Sequence, residues 1–431
     1  MAHSLSPVSK KDVGTILEAE PFALPVAYSV VLYLLIAAAV LAFVVGIMGD
    51  AEQSRLSWLS FHTNLLFWLA LATASAGFSA VFHICNAQWA RPLRRLYEST
   101  VTFLPFMIVG LGVFYFGHDQ IFVWANEPIE GKAVWLNSPA VFFRDIFFYA
   151  ILAYLISRVV KLSVGRDILA TRSDLMGLPA SRSARWGGAL LDHYVQGWNV
   201  KAGSTTIKAM TLQITRLSPA VVIFYAIGMS LIAFDLIMSV DPHWYSTLFG
   251  AFIFMSAVYM ATAWAAISVG FARELHPIFR AKIERRTLHD LGKLLFGFGI
   301  FWAYLFWSHY LTIWYGNIPE ETQWVVTRLR NEPWHGFAWV IFGASFIIPF
   351  LIGLSRDAKQ MPHLLFATAV IVLCGMWLQM YLLIVPTLYN ESIPLSWRDL
   401  VIAFGFMAGL MLCQARFLSR VPLIPFGDLY E

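Results

Sequence analysis

Between Leu217 and Phe271 two long apolar runs flank a short polar corner, Asp241-Pro242-His243-Trp244. Each run is longer than the roughly 20 residues that a helix needs to cross a bilayer at about 1.5 Å per residue. So short a corner makes the two helices antiparallel neighbours. Asp235 lies inside the first run, about two turns before the corner. A carboxylate at that depth is expensive and usually faces a protein interior or a water pocket.

The same pattern recurs along the chain. Ten spans are predicted: Val26–Ile47, Trp58–Ile84, Val101–Phe116, Ser138–Val160, Leu217–Ser239, Trp244–Phe271, Leu291–Tyr315, Trp334–Leu354, Met361–Tyr389 and Trp397–Leu418. The third is short, so it is expected to begin earlier, near Tyr97, with a kink at Pro105. Hydrophobic residues make up 59% of the chain and charged residues 13%, about half the charge of a soluble domain. The fold class is therefore all-α and polytopic. A transmembrane barrel would alternate in ten-residue segments instead.

Charge sets the orientation. With the N-terminus in the cytoplasm, about 24 of the 30 lysines and arginines fall in inside loops, the bias of the positive-inside rule. Both termini are then cytoplasmic, residues 1–25 being an N-terminal segment and 419–431 a C-terminal tail around a membrane domain of residues 26–418. The excess of +4 is what basic cytoplasmic loops produce and calls for no nucleic-acid partner. The inside loop of about residues 161–216, with its GLPASRSARWGG stretch, reads as a surface linker or a docking surface for a partner subunit.

The three cysteines, Cys85, Cys374 and Cys413, form no CxxC pair and no haem-attachment site, and cannot ligate an iron–sulfur cluster as a set of four. No metal site is expected. No helix carries two central histidines, which disfavours a bis-histidine haem. The nine tryptophans near span ends, Trp244 and Trp324 among them, read as interfacial belts.

Polar groups concentrate in the outer half: Asp235, Asp241, His243, His309, Arg144, Asp145, His62 and Gln379, with Asn317, Glu320 and Glu321 nearby. A proton or quinol site would look like this, and so would helix ends that meet water. Arg144 and Asp145 are adjacent and do not face each other on a helix, so each needs a partner from another span; Asp235 and Gln379 are the partners considered. In the seventh span Asp290, Lys293, Gly297, Tyr304, Ser308 and Tyr315 share one face at 100° per residue, expected to point into the bundle, as packing or as a hydrated path. Span two has a similar face in Asn64, Ser75, Ser79 and Asn86.

Three stretches carry a resemblance: FDLIMSVDPHWYSTLFGAF at 234–252, SFHTNLLFWLALATASAGFSAVFHICNAQWARPLRRLYE at 60–98 and HDLGKLLFGFGIFWAYLFWSHYLTIWYGNIPEETQW at 289–324. They resemble ActF, the family of NrfD-like integral membrane subunits of alternative complex III. The resemblance implies two four-helix bundles, spans two to five and six to nine, with spans one and ten flanking. It implies a bacterial inner-membrane quinol:electron-acceptor oxidoreductase, respiratory or photosynthetic, in which this subunit is not catalytic alone. Its implied partners are the NrfD-like subunit ActC, an iron–sulfur subunit and haem c subunits, together with membrane lipid and the quinol pool. Redox cofactors would reside in those partners, and a quinol or quinone could bind here.

On that reading Asp235 and His309 carry the outer half of a proton path, with Asp241 and His243 near its exit and Arg144 and Asp145 beside it. Asp290, Lys293, Tyr304 and Ser308 carry the inner half. The rival expectations are the membrane anchor of a polysulfide-reductase-like molybdoenzyme, a secondary transporter and a purely structural anchor.

Overall fold

The computed structural model describes residues 12–170, 193–198 and 204–430. Ten helices are long and apolar enough to cross a membrane. They are α1 (Val26–Ile47), α2 (Ala51–Ile84), α3 (Gln88–Phe114), α4 (Ser138–Ala170), α5 (Ser204–Val240), α6 (Leu248–Leu275), α7 (Arg285–Gly316), α8 (Trp334–Leu354), α9 (Pro362–Thr387) and α10 (Trp397–Leu418). No β-strand is present among the described residues. The protein is an all-α, multi-pass membrane protein. Ten crossings put both termini at one end, called here the terminal end; the opposite end is the far end.

Helices α2 to α5 pack in a closed ring of neighbours, and α6 to α9 form a second ring. The rings meet where α2 lies against α6, and α10 with α1 packs on the outside of α2. In α2, 94% of the apolar window is buried, and in α6 78%, against 22% for α1 and α8. The two central helices can be enclosed because they are rich in small residues, such as Ala70, Ala72, Ala76, Ala261, Ala263 and Ala265, which are all buried. Lipid offers little hydrophobic drive between helices, so close backbone approach and polar bridges hold such bundles together. Asn64 is one bridge. Its amide donates to the Asp399 carbonyl of α10 at 3.2 Å and accepts from Trp377 Nε1 of α9 at 2.8 Å.

Several spans differ from the sequence expectation in physically readable ways. The third starts at Gln88, well before Tyr97, because Arg91, Arg94, Arg95 and Glu98 are buried against other protein groups and need no water. Within it, residues Ser99–Phe103 tighten into a 3-10 turn just ahead of Pro105, which supplies no N–H to the turn before it. Asn86 belongs to a turn, not to a face of α2. It adopts φ +45°, a left-handed stop that asparagine tolerates.

Helices α4 and α5 extend to Ala170 and from Ser204, so the basic loop is shorter than 161–216. The stretch GLPASRSARWGG and its expected docking role lie outside the described residues. The described parts of both end segments, from residue 12 and up to residue 430, are docked on the bundle. Val13, Ile16 and Leu17 of a short N-terminal helix are buried, as are Val421 to Phe426 of the C-terminal segment.

Candidate functional site

The far end of the first ring holds a buried acid cluster. Near its end α5 widens into a π-turn over Ala233–Ile237, where the Met238 N–H reaches the Ala233 carbonyl. Such single wide turns recur at functional sites because they re-aim side chains without ending the helix. Here the turn carries Asp235, which is fully buried. The Ser239 hydroxyl donates to the Asp235 carbonyl at 2.5 Å, and Trp124 Nε1 donates to the Ser239 carbonyl at 3.1 Å. The first bond occupies a carbonyl of the wide turn, and the second a carbonyl at the end of the helix.

Asp235 Oδ2 accepts from Arg144 Nε of α4 at 2.7 Å, and Arg144 Nη2 lies 2.6 Å from the same oxygen. Asp235 Oδ1 accepts from Trp135 Nε1 at 2.9 Å. The guanidinium lies 3.8 Å above the Trp135 ring, a cation–π contact. Asp145 is buried beside Asp235 and interacts with it electrostatically. The two adjacent residues of α4 thus converge on one carboxylate, one as its counter-ion and one as a second acid.

His62 of α2 completes the group. It is fully buried, stacks on Phe114 at 4.3 Å and approaches the backbone of Leu236 in the π-turn. Neither ring nitrogen makes a hydrogen bond among the described residues. Gln379, the other partner considered for Arg144, lies in the second ring, where it accepts from Trp302 Nε1 at 2.7 Å and donates to Ser256 Oγ at 3.3 Å.

His309 is also in the second ring, packed among Trp244, Phe249, Phe252 and Trp324. No contact joins it to Asp235 among the described residues. Trp244 and Trp324 stack face to face at 4.0 Å. Trp324 also lines a small pocket with His309, Gln379 and Arg328, and so serves as more than an interfacial belt residue. Asp241 neighbours Arg328, whose guanidinium burial lowers and the Asp241 carboxylate raises. Arg328 donates to the carbonyls of Leu382 and Leu383 and to Thr387 Oγ1, at 3.1, 3.0 and 2.7 Å, and so caps the end of α9. His243 is exposed.

The stripe on α7 points the opposite way from the expectation. Leu291, Leu295, Trp302, Leu305, His309 and Ile313 are buried, and at 100° per residue they fall within about 40° of His309. Asp290, Lys293, Gly297, Tyr304, Ser308 and Tyr315 lie on another face, roughly 120° away. Lys293, Gly297, Tyr304 and Tyr315 are exposed. Lys293 pairs with Asp290 at 2.7 Å at the surface. The large apolar side chains win the interior of the ring, so Asp290, Lys293, Tyr304 and Ser308 do not line a path through it.

The polar interior of the terminal end is instead in the first ring. Arg95 pairs with both Glu98 and Asp167, all three wholly buried. Ser79 Oγ donates to Glu98 Oε1 at 3.0 Å, and Thr73 Oγ1 and Tyr149 OH share a hydrogen bond of 2.9 Å further toward the middle. Arg95 is one of the basic residues that the charge pattern assigns to inside loops, and the sequence alone does not single out Glu98, Asp167, Thr73 or Tyr149. The signal was present in RPLRRLYE, whose strongly one-sided polarity is out of place in a simple loop.

Among the described residues no three His, Cys, Asp or Glu side chains are grouped to hold a metal ion. No protein-family model and no curated protein matches the chain.

Proposed function

We propose that this chain is a proton-handling integral membrane subunit of a quinol:electron-acceptor oxidoreductase of the alternative complex III type. Its far end faces the outside and both termini face the cytoplasm of a bacterial inner membrane. The resemblance of the 60–98, 234–252 and 289–324 stretches supports the complex, and the bias of basic residues toward the terminal end supports the orientation. The single observation that carries the proton role is the buried group of Asp235, Asp145 and Arg144. Two carboxyls face one guanidinium, so the group becomes neutral by holding one proton. A buried site that is neutral with one proton, and charged without it, can take up and release that proton as its surroundings change.

In this reading quinol is oxidised in the complex and electrons leave through haem c and iron–sulfur groups of partner subunits. This chain supplies acid groups on each side of the first ring. Glu98 and Asp167 serve the cytoplasmic half, Thr73 and Tyr149 the middle, and Asp145 and Asp235 the outer half. Asp290, Lys293, Tyr304 and Ser308 are replaced in that role, since they lie on an outer face.

A secondary transporter is the second reading. Helix α5 is interrupted at Ala233–Ile237 and α8 at Gly343–Ile347, and transporters place their sites at interrupted helices. Purification from the native membrane in a mild detergent separates the two. Co-purification with iron–sulfur and multihaem c-type subunits, identified by mass spectrometry, is the expected result. A stable chain that comes alone, and drives solute flux by itself in vesicles, overturns the oxidoreductase reading.

A further inference from the structure

Between α7, α8 and the connecting helix Pro319–Leu329 lies a lateral groove of about 640 Å³. Trp307, Trp314 and Trp339 line it and are each more than half exposed, so the groove opens sideways, toward lipid. It is graded along its length. Phe306 and Phe342 wall its inner part, and Asn317, Arg330 and His335 stand at its mouth, at the far end. At about 1.5 Å per residue, Phe306 lies about 16 Å from Asn317 along α7, and Phe342 about 10 Å from His335 along α8. That is close to the depth of one leaflet of a hydrocarbon core roughly 30 Å thick.

The mouth has a definite chemistry. Arg330 is exposed, and its side chain forms no ion pair or hydrogen bond among the described residues, the neighbouring Glu332 included. None of the residues that line the groove is acidic. His335 is half-buried, with Nδ1 2.7 Å from the Leu329 carbonyl. A carbonyl only accepts, so Nδ1 carries the proton and Nε2 of the neutral ring is left as an acceptor. The mouth thus offers one fixed positive charge and one hydrogen-bond acceptor above an apolar slot.

We infer that the groove holds one glycerophospholipid of the far-end leaflet, recognised by its headgroup. The phosphate meets the Arg330 guanidinium, whose fork of donors suits phosphate oxygens. An N–H or O–H of the headgroup donates to His335 Nε2, and one acyl chain lies against Phe306 and Phe342. Phosphatidylglycerol and phosphatidylethanolamine carry such a donor; phosphatidylcholine carries none, and diacylglycerol lacks the phosphate as well. An apolar helix of a partner protein would match the inner part of the groove but not its charged mouth. The inference goes beyond the proton role argued above and does not depend on it, since the acids of that role lie in the other ring.

The test strips the full chain of lipid in dodecyl maltoside and titrates it with phosphatidylglycerol, counting bound lipid by native mass spectrometry. The expected result is one tightly held molecule, with phosphatidylcholine of the same chains binding more weakly and diacylglycerol more weakly still. Arg330→Gln, a change at the surface that leaves the melting temperature near that of the native chain, weakens phosphatidylglycerol binding about tenfold, the loss of one charge-assisted hydrogen bond. His335→Leu removes the preference for phosphatidylglycerol over phosphatidylcholine and leaves phosphatidylcholine binding in place. Equal affinity for phosphatidylglycerol and diacylglycerol overturns the inference, as does unchanged phosphatidylglycerol binding in Arg330→Gln. A benzophenone amino acid in place of Trp339, irradiated in native membranes, is expected to give a lipid adduct. An adduct with a polypeptide, whether a second copy of the chain or another protein, also overturns the inference.

Discussion

Asp235 sits where an unpaired carboxylate is least tolerated, and Arg144 is what makes the position tenable. Replacing one member of a buried ion pair strands the other, at a cost of roughly 3–5 kcal/mol. The Arg144 side chain is 16% exposed, which places the expected loss for Asp235→Asn at the lower end of that range. Thermal unfolding in detergent checks this, and Asp235→Leu combined with Arg144→Leu should recover most of the loss. Recovery in the double variant identifies the stranded charge as the cause; a purely additive loss contradicts it. Asp235 was legible in the sequence because it is a lone acid in an apolar run. Its pairing with Arg144 was legible because the topology brings both to the same end. The roles of Glu98 and Asp167 were not, since an acid near a run of arginines reads as loop until the fold shows what covers it.

Helical periodicity identifies which residues of α7 share a face, but not which face turns inward. The interior goes to the face with the larger apolar side chains, and that choice depends on neighbours the sequence leaves unplaced. The π-turn of α5 was invisible for a related reason: nothing in AFDLI differs from an ordinary helical turn, and the wide register comes from the bonds around it. Close crossings are likewise a property of pairs of helices. A Cβ on Gly405 of α10 would stand 2.2 Å from the Ala39 Cβ of α1. Gly405→Leu is therefore expected to part the two flanking helices and lower the melting temperature by several degrees, as overpacking costs about 1–3 kcal/mol. Asn64→Leu removes the bridge from α2 to α9 and α10 and leaves Trp377 Nε1 unpaired, an expected loss of roughly 1–3 kcal/mol. Unfolding curves for the two variants test both statements; native-like stability in either refutes that crossing or that bridge.

The two rings are joined through α2 and α6, and the chain ends lock onto the terminal end. The Phe426 and Gly427 N–H groups donate to Asp167 Oδ1 at 3.2 and 2.6 Å, and Arg91 Nη2 donates to Asp428 Oδ2 at 2.7 Å. Burial raises the Asp428 carboxyl, but Arg94, Arg166 and Arg91 outweigh it and hold the group below its ordinary value of 3.8. A carboxyl lowered on folding stabilises the docked tail above its unfolded value and loses that contribution as pH falls through the folded one. Protection of the amides of residues 421–428 against hydrogen exchange, taken relative to the unstructured rate at each pH, should therefore be high at neutral pH and fall below about pH 3.8, with Asp428→Asn showing no such step. An identical acid response in wild type and variant contradicts this assignment.

The same network places buried acids at the terminal end of the ring whose far end holds Asp235, and the proposed proton route runs through that ring. The direct measurement is the proton-to-electron ratio of the intact complex in proteoliposomes, compared between wild type and Asp235→Asn. A lowered ratio, with the complex still assembled and quinol oxidation still measurable, is the predicted result. An unchanged ratio at unchanged turnover contradicts the claim.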